Sequence, residues 1–146
     1  MPEPARNESD EIRPYAVCLA MLRDAGLRPT RHRLMLARLL FGDDKHRHVT
    51  AEALHEEAAA AGSDLSLATV YNALHQFTKA GLLRELVIES GRTYFDTNTA
   101  PHHHFYHPES GYLHDIGYED ITLGELPPPP DNKRVAGVHV LITLED

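Results

Sequence analysis

Apolar residues recur at helical spacing in four early segments, each bounded by a capping residue and a glycine. Ser9 and Asp10 open a stretch running to Asp24, with Val17, Leu19, Ala20 and Leu22 as its apolar face and Gly26 as the stop. Thr30 precedes Arg31–Phe41, where Leu34, Leu36, Leu39 and Leu40 recur before Gly42. Thr50 precedes the Ala/Leu/Glu-rich run 51–61, closed by Gly62, and Ser66 precedes the run 67–80, closed by Gly81. In this last segment Leu67, Val70, Leu74 and Phe77 share one face. At Leu82 the period changes to two. Leu83, Glu85 and Val87 alternate with Arg84, Leu86 and Ile88, and Ser90-Gly91 then turns the chain into Thr93-Tyr94-Phe95. Leaving the first helix aside, three short helices followed by a hairpin predict a winged helix, whose third helix suits the major groove of DNA.

The polar stretch Asp96–Pro101 follows, and residues 97–101 read as a hinge. Beyond it, 103–107 and 112–116 read as strands joined by Pro108-Glu109-Ser110-Gly111, and 119–126 as a short helix halted by Pro127–Pro130. In 135–144, Val138, Val140, Ile142 and Leu144 alternate with His139, Leu141 and Thr143, the pattern of a strand. The fold class is therefore α+β: a winged helix-turn-helix domain over 1–96 with an extra N-terminal helix, then a small α/β domain over 102–146. Some 45 residues cannot bury enough apolar surface alone, so the second domain is expected to form a homodimer.

Composition narrows the function. No apolar run in the 146 residues approaches the roughly 20 needed to cross a bilayer, and the segment Met1–Arg6 carries no secretory pattern, so a cytoplasmic protein is expected. The single cysteine, Cys18, excludes an intramolecular disulfide and a Cys-rich zinc site. The formal charge of −8 is uneven: residues 1–98 carry −2 and residues 99–146 carry −6. Arg28, Arg31, Arg33 and Arg38 lie in one short stretch, so the first domain can still present a basic face. The exposed face of the fourth helix would hold Ala68, Thr69, Tyr71 and Asn72. Ala and Thr suit a thymine methyl, and Asn can bind adenine through two hydrogen bonds. Eleven histidines, three of them consecutive at 102–104, point towards metal or cofactor chemistry.

Three motifs in succession, Gly26-Leu27-Arg28-Pro29-Thr30-Arg31-His32-Arg33, His48-Val49-Thr50-Ala51-Glu52 and Leu67-Ala68-Thr69-Val70-Tyr71, resemble those of the ferric uptake regulator family, dimeric winged-helix regulators that sense metals. Within it, His102-His103-His104-Phe105-Tyr106-His107 and Leu74-His75-Gln76-Phe77-Thr78-Lys79 resemble the iron response regulator branch, which implies control of iron and haem genes by haem. The resemblance implies that Tyr71 reads DNA, with Asn72 where an arginine is usual, which favours A/T-rich operators. Arg28 and Arg31 are expected on phosphate. It implies a metal site of His48, Asp96, His104 and Asp115, with the family's further histidine falling at Tyr106. It also suggests a second site including His103 and His139, whose acid positions fall on Phe105 and Thr122. The family's zinc-binding cysteine pairs are absent.

Two imidazoles and two carboxylates suit Fe(II), Mn(II) or Zn(II). Haem would instead take axial imidazoles from His102, His103 or His104, beside Phe105 and Tyr106. Two alternatives stand beside a haem- or iron-responsive regulator: a metal-dependent repressor or peroxide sensor of the same family, and a metallohydrolase. No paired carboxylates or nucleophile–base pair on one element support the hydrolase.

Overall fold

The computed structural model describes residues 8–88 and 91–146, with side chains described from residue 15 onward. Ser9 and Asp10, expected to open the first helix, lie within it, since it is already helical at Glu8; the turn residue Ser90 lies outside the described residues. Two compact units are present, one ending at Thr99 and the next beginning at Ala100.

The first unit runs α1 (Glu8–Asp24), α2 (Arg31–Phe41), β1 (His48–Val49), α3 (Ala51–Ala60), α4 (Leu67–Lys79), β2 (Arg84–Ile88) and β3 (Arg92–Asp96). Three helices start where a hydroxyl satisfies an otherwise unpaired N–H. Thr30 accepts from Arg33 N, Thr50 from Ala53 N and Ser66 from Thr69 N, at 3.3, 3.1 and 3.1 Å. The end of α4 closes through Gly81, whose φ of +85° allows Leu82 N to reach back to the Phe77 carbonyl at 2.9 Å. That turn aims the chain into the wing.

The core of this unit gathers Cys18 and Leu22 of α1, Leu36, Ala37 and Leu40 of α2, Leu54 and Ala58 of α3, and Val70, Leu74 and Phe77 of α4. Each large side chain buried here contributes about 1.5–3 kcal/mol. Burial also pushes the Cys18 thiol above its ordinary pKa, against a smaller opposing effect of Arg38. Three apolar positions depart from the expected faces. Val17 and Ala20 are exposed because Cys18 and Leu22, four apart, form the buried seam of α1, and Leu67 is 36% exposed because it sits on the first, outward turn of α4.

The wing sheet has the order β1-β3-β2, with both pairings antiparallel. Leu86 and Ile88 face inward while Val87 is 70% exposed, so the expected alternation holds. The two-residue strand β1 carries no sequence pattern of its own. It forms because His48 and Val49 find Asp96 and Phe95 opposite them. Arg47 steadies the approach, bonding the Leu39 carbonyl and both Glu57 oxygens at 2.9 Å.

The second unit is a sheet of order β5-β4-β6, from β4 (His102–His107), β5 (Tyr112–Gly117) and β6 (Leu141–Thr143), with one 3-10 turn at Tyr118–Asp120. The helix expected over 119–126 is not formed beyond that turn. Leu123 and Leu126 are exposed, and a helix this short does not persist without packing for its apolar face. The strand expected over 135–144 shrinks to three residues. It exists only where β4 offers a parallel partner, with Leu141, Ile142 and Thr143 opposite His104, Phe105 and Tyr106.

Candidate metal centre and DNA-facing helix

Side-chain alternation along β4 sets the chemistry of the second unit. His102, His103 and His104 are 5%, 1% and 0% exposed. His102 and His104 share one face, ring centroids 4.4 Å apart. Register places Asp115 of β5 opposite His104, and its Oδ1 lies 3.5 Å from His102 Nε2 and 3.3 Å from His104 Nε2. His103 stacks on Tyr118 at 5.3 Å and on His139 at 6.3 Å.

Hydrogen bonding identifies which ring nitrogens carry protons. His102 Nδ1 lies 2.6 Å from the Ala100 carbonyl, which can only accept. The proton of a neutral His102 therefore sits on Nδ1, and Nε2 presents a lone pair towards the Asp115 carboxylate. His103 is the reverse. Its Nδ1 accepts from Val140 N at 2.9 Å, which puts the ring proton on Nε2 and leaves no lone pair for an iron or a divalent ion. His103 and His139 thus stack without forming a converging donor pair, and Phe105 and Thr122 add no ligand.

In the first unit His48 and Asp96 are cross-strand partners, with His48 Nε2 3.4 Å from Asp96 Oδ2. Asp96 is fully buried at the end of the wing, and its other oxygen accepts from Asn98 N at 2.9 Å. The structure thus brings His48 to Asp96 on one unit, and His102 and His104 to Asp115 on the other. Sequence reasoning kept His102 for haem and missed it as a partner of Asp115. The i, i+2 relation to His104 was the available signal.

On α4, Ala68 and Asn72 are exposed, and Thr69 and Tyr71 half-buried. The Thr69 hydroxyl lies 2.8 Å from Ser66 Oγ. The Tyr71 ring packs against the core, and its hydroxyl donates to Glu52 Oε1 at 2.9 Å. That hydrogen bond, with lesser effects of burial and of the Glu52 charge, pushes the Tyr71 phenol above its ordinary pKa. Arg28 and Arg31 are exposed. Arg33, not singled out from sequence as a DNA contact, bonds Gln76 Oε1 at 2.6 Å and the Arg28 carbonyl at 2.8 Å.

Residues 24–125 match the family described as the ferric uptake regulator family. The peroxide-responsive repressor PerR of Staphylococcus aureus is 32% identical over 104 residues, which cover 71% of this chain and 69% of that protein. The chain belongs to the ferric uptake regulator family. The fold agrees with two solved members. The ferric uptake regulator of Vibrio cholerae superposes with a TM-score of 0.68 at 22% identity, over 88% of this chain and 98% of that one. That of Pseudomonas aeruginosa, solved with manganese, gives 0.66 at 24% identity over 89% and 98%. This member of the family is accordingly a DNA-binding, metal-responsive transcription regulator and not an enzyme. Its first unit is the winged helix, its second a small sheet domain, and no helix among the described residues is long and apolar enough to cross a membrane.

Proposed function

We propose that this regulator binds one divalent cation through His48, Asp96, His102, His104 and Asp115, and that the ion governs its hold on operator DNA. The observation that carries the reading is the convergence of His102 and His104 Nε2 on Asp115 Oδ1, at 3.5 and 3.3 Å, with His102 Nδ1 turned to the Ala100 carbonyl so that Nε2 is the nitrogen facing the carboxylate. Such an imidazole–carboxylate set suits Mn(II), Fe(II) or Zn(II). Such an ion supplies positive charge and directional coordination. The chain supplies two partial donor sets, a pair on the wing and a trio on the sheet. Neither set reaches the four to six ligands these ions take, so an ion held by both favours one arrangement of the units, and its effect on DNA is limited to its differential affinity for that arrangement.

DNA would be read by α4, with Ala68, Thr69, Tyr71 and Asn72 towards base edges and Arg28 and Arg31 towards phosphate, at A/T-rich operators in the cytoplasm. A homodimer built on the second unit supplies two reading heads. Exposure of Tyr112, Leu123, Leu126, Val135, Ile142 and Leu144 supports that surface.

Equilibrium dialysis with Mn(II) and Zn(II), paired with operator binding, tests the reading. Wild type should take up one ion per chain at this site and bind DNA with an ion-dependent affinity, and His104→Ala should lose both. Uptake and DNA binding unchanged in His104→Ala would refute it.

Two ligand alternatives remain distinct. The resemblance to peroxide-responsive repressors supports a version in which the same site, loaded with Fe(II), releases DNA on peroxide treatment. Haem, and with it the iron response regulator branch, rests on sequence resemblance alone. His103 offers no lone pair, and His102 directs Nε2 at a carboxylate rather than into an apolar slot.

A further inference from the structure

The ring of His139 stands outside the donor trio yet touches its most buried member. Its Nε2 lies 2.8 Å from Nδ1 of His104, and the rings meet edge to face with centroids 5.0 Å apart. Backbone bonds fix this position. His104 N donates to the Val140 carbonyl at 3.1 Å, Val140 N donates to His103 Nδ1 at 2.9 Å, and Leu141 opposes His104 in the parallel ladder.

Between two neutral imidazoles, one proton occupies that 2.8 Å contact, and which ring owns it decides what His104 can do. When His104 donates, its Nε2 carries a lone pair towards Asp115. When His139 donates, His104 accepts at Nδ1, its own proton moves to Nε2, and that N–H faces Asp115 where a cation would sit. His102 has no such choice, because the Ala100 carbonyl cannot donate. Ligating imidazoles generally hand their second N–H to an acceptor that fixes tautomer and ring angle.

We propose that His139 is a positioning residue: it accepts the Nδ1 proton of His104 and thereby keeps Nε2 able to bind a divalent cation. This rests on the metal reading above. It also gives His139 a role other than the second-site ligand that the sequence suggested. Strand β6 then does more than widen the sheet, because the segment leading into it carries the group that arms the site.

The test uses the full-length chain with nitrogen-15-labelled histidine. NMR of the metal-free protein reports the tautomer of His104, and Zn(II) titration reports affinity and stoichiometry. Wild type should show the His104 proton on Nδ1. His139→Gln, whose Oε1 can still accept, should keep that tautomer and near wild-type affinity. His139→Ala should lose the preference and about 10–100-fold in Zn(II) affinity, with one ion per chain in every variant. A wild-type His104 proton on Nε2, or His139→Ala with unchanged tautomer and affinity, overturns the proposal. A fall from two ions to one in His139→Ala makes it a ligand and also overturns it. If wild type binds no Zn(II), the metal reading fails separately, and the tautomer measurement still decides whether His139 positions His104.

Discussion

Replacing Asp115 by Asn separates a metal ligand from an ordinary ion-pair partner, because the two roles predict opposite signs in the metal-free protein. The substitution is nearly isosteric and removes the charge lying 3.3–3.5 Å from His102 and His104 Nε2. If Asp115 is a ligand, metal affinity should fall on the order of a hundredfold, the upper end of effects near such sites. At a free-ion concentration of about 100 times the wild-type Kd, bound metal stabilises the wild type by about 2.7 kcal/mol; a hundredfold weaker site retains about 0.4. The difference, about 2.3 kcal/mol, corresponds to a loss of roughly 5–9 °C in Tm for a chain of this size. Without metal the order reverses. With both imidazoles neutral and their Nε2 lone pairs facing residue 115, as the ligand reading requires, the Asn amide donates where Asp can only accept, so the variant should be as stable as wild type or about 0.5–1.5 kcal/mol more stable. Thermal unfolding monitored by circular dichroism, with chelator and with Mn(II), reads both. A variant equally destabilised in chelator and in Mn(II) would show that Asp115 acts as a structural partner of the two imidazoles, and the ligand argument would fail.

Four further outcomes are expected. Ser66→Ala removes the cap of α4 and should cost about 1 kcal/mol by denaturant unfolding, without changing metal affinity. Asn72→Ala should cost about 1–3 kcal/mol on the cognate operator and little on random DNA, whereas Arg31→Ala should weaken both and flatten the salt dependence. Because Glu52 holds the Tyr71 phenol protonated above its ordinary value of about 10, their contact stabilises the fold below that pH and is lost as pH rises through the raised folded-state value. Glu52→Gln should therefore bring the tyrosine absorbance titration back towards the ordinary range. Light scattering should give twice the chain mass, and pairing Ile142→Asp with Leu144→Asp should give a monomer that still folds by circular dichroism.

The first unit was legible because its signals are local. Thr30, Thr50 and Ser66 each announce a helix three residues before the N–H they satisfy, and Gly81 announces the turn into the wing. The second unit was less so. The alternation over 135–144 describes a strand that needs a partner, and only Leu141–Thr143 finds one in β4. The polar-apolar pattern of 119–126 likewise suggests a helix, but Gly124 interrupts it, and Leu123 and Leu126 meet no core. Sequence periodicity states which face would be buried; whether anything is there to bury it against is a tertiary fact.

The candidate site shows the same division at the level of single atoms. Spacing and resemblance nominate His48, Asp96, His104 and Asp115, and strand alternation could have added His102. Neither says which nitrogen of an imidazole carries its proton, and that decides ligand from bystander. His102 and His103 are adjacent, identical and almost equally buried, yet one meets a backbone carbonyl at Nδ1 and the other a backbone N–H. On the proposed reading the first is thereby prepared for a cation at Nε2 and the second is not. His104 lies between these cases, with a partner that can either give or take a proton, so its function depends on a residue 35 positions away that no local pattern connects to it.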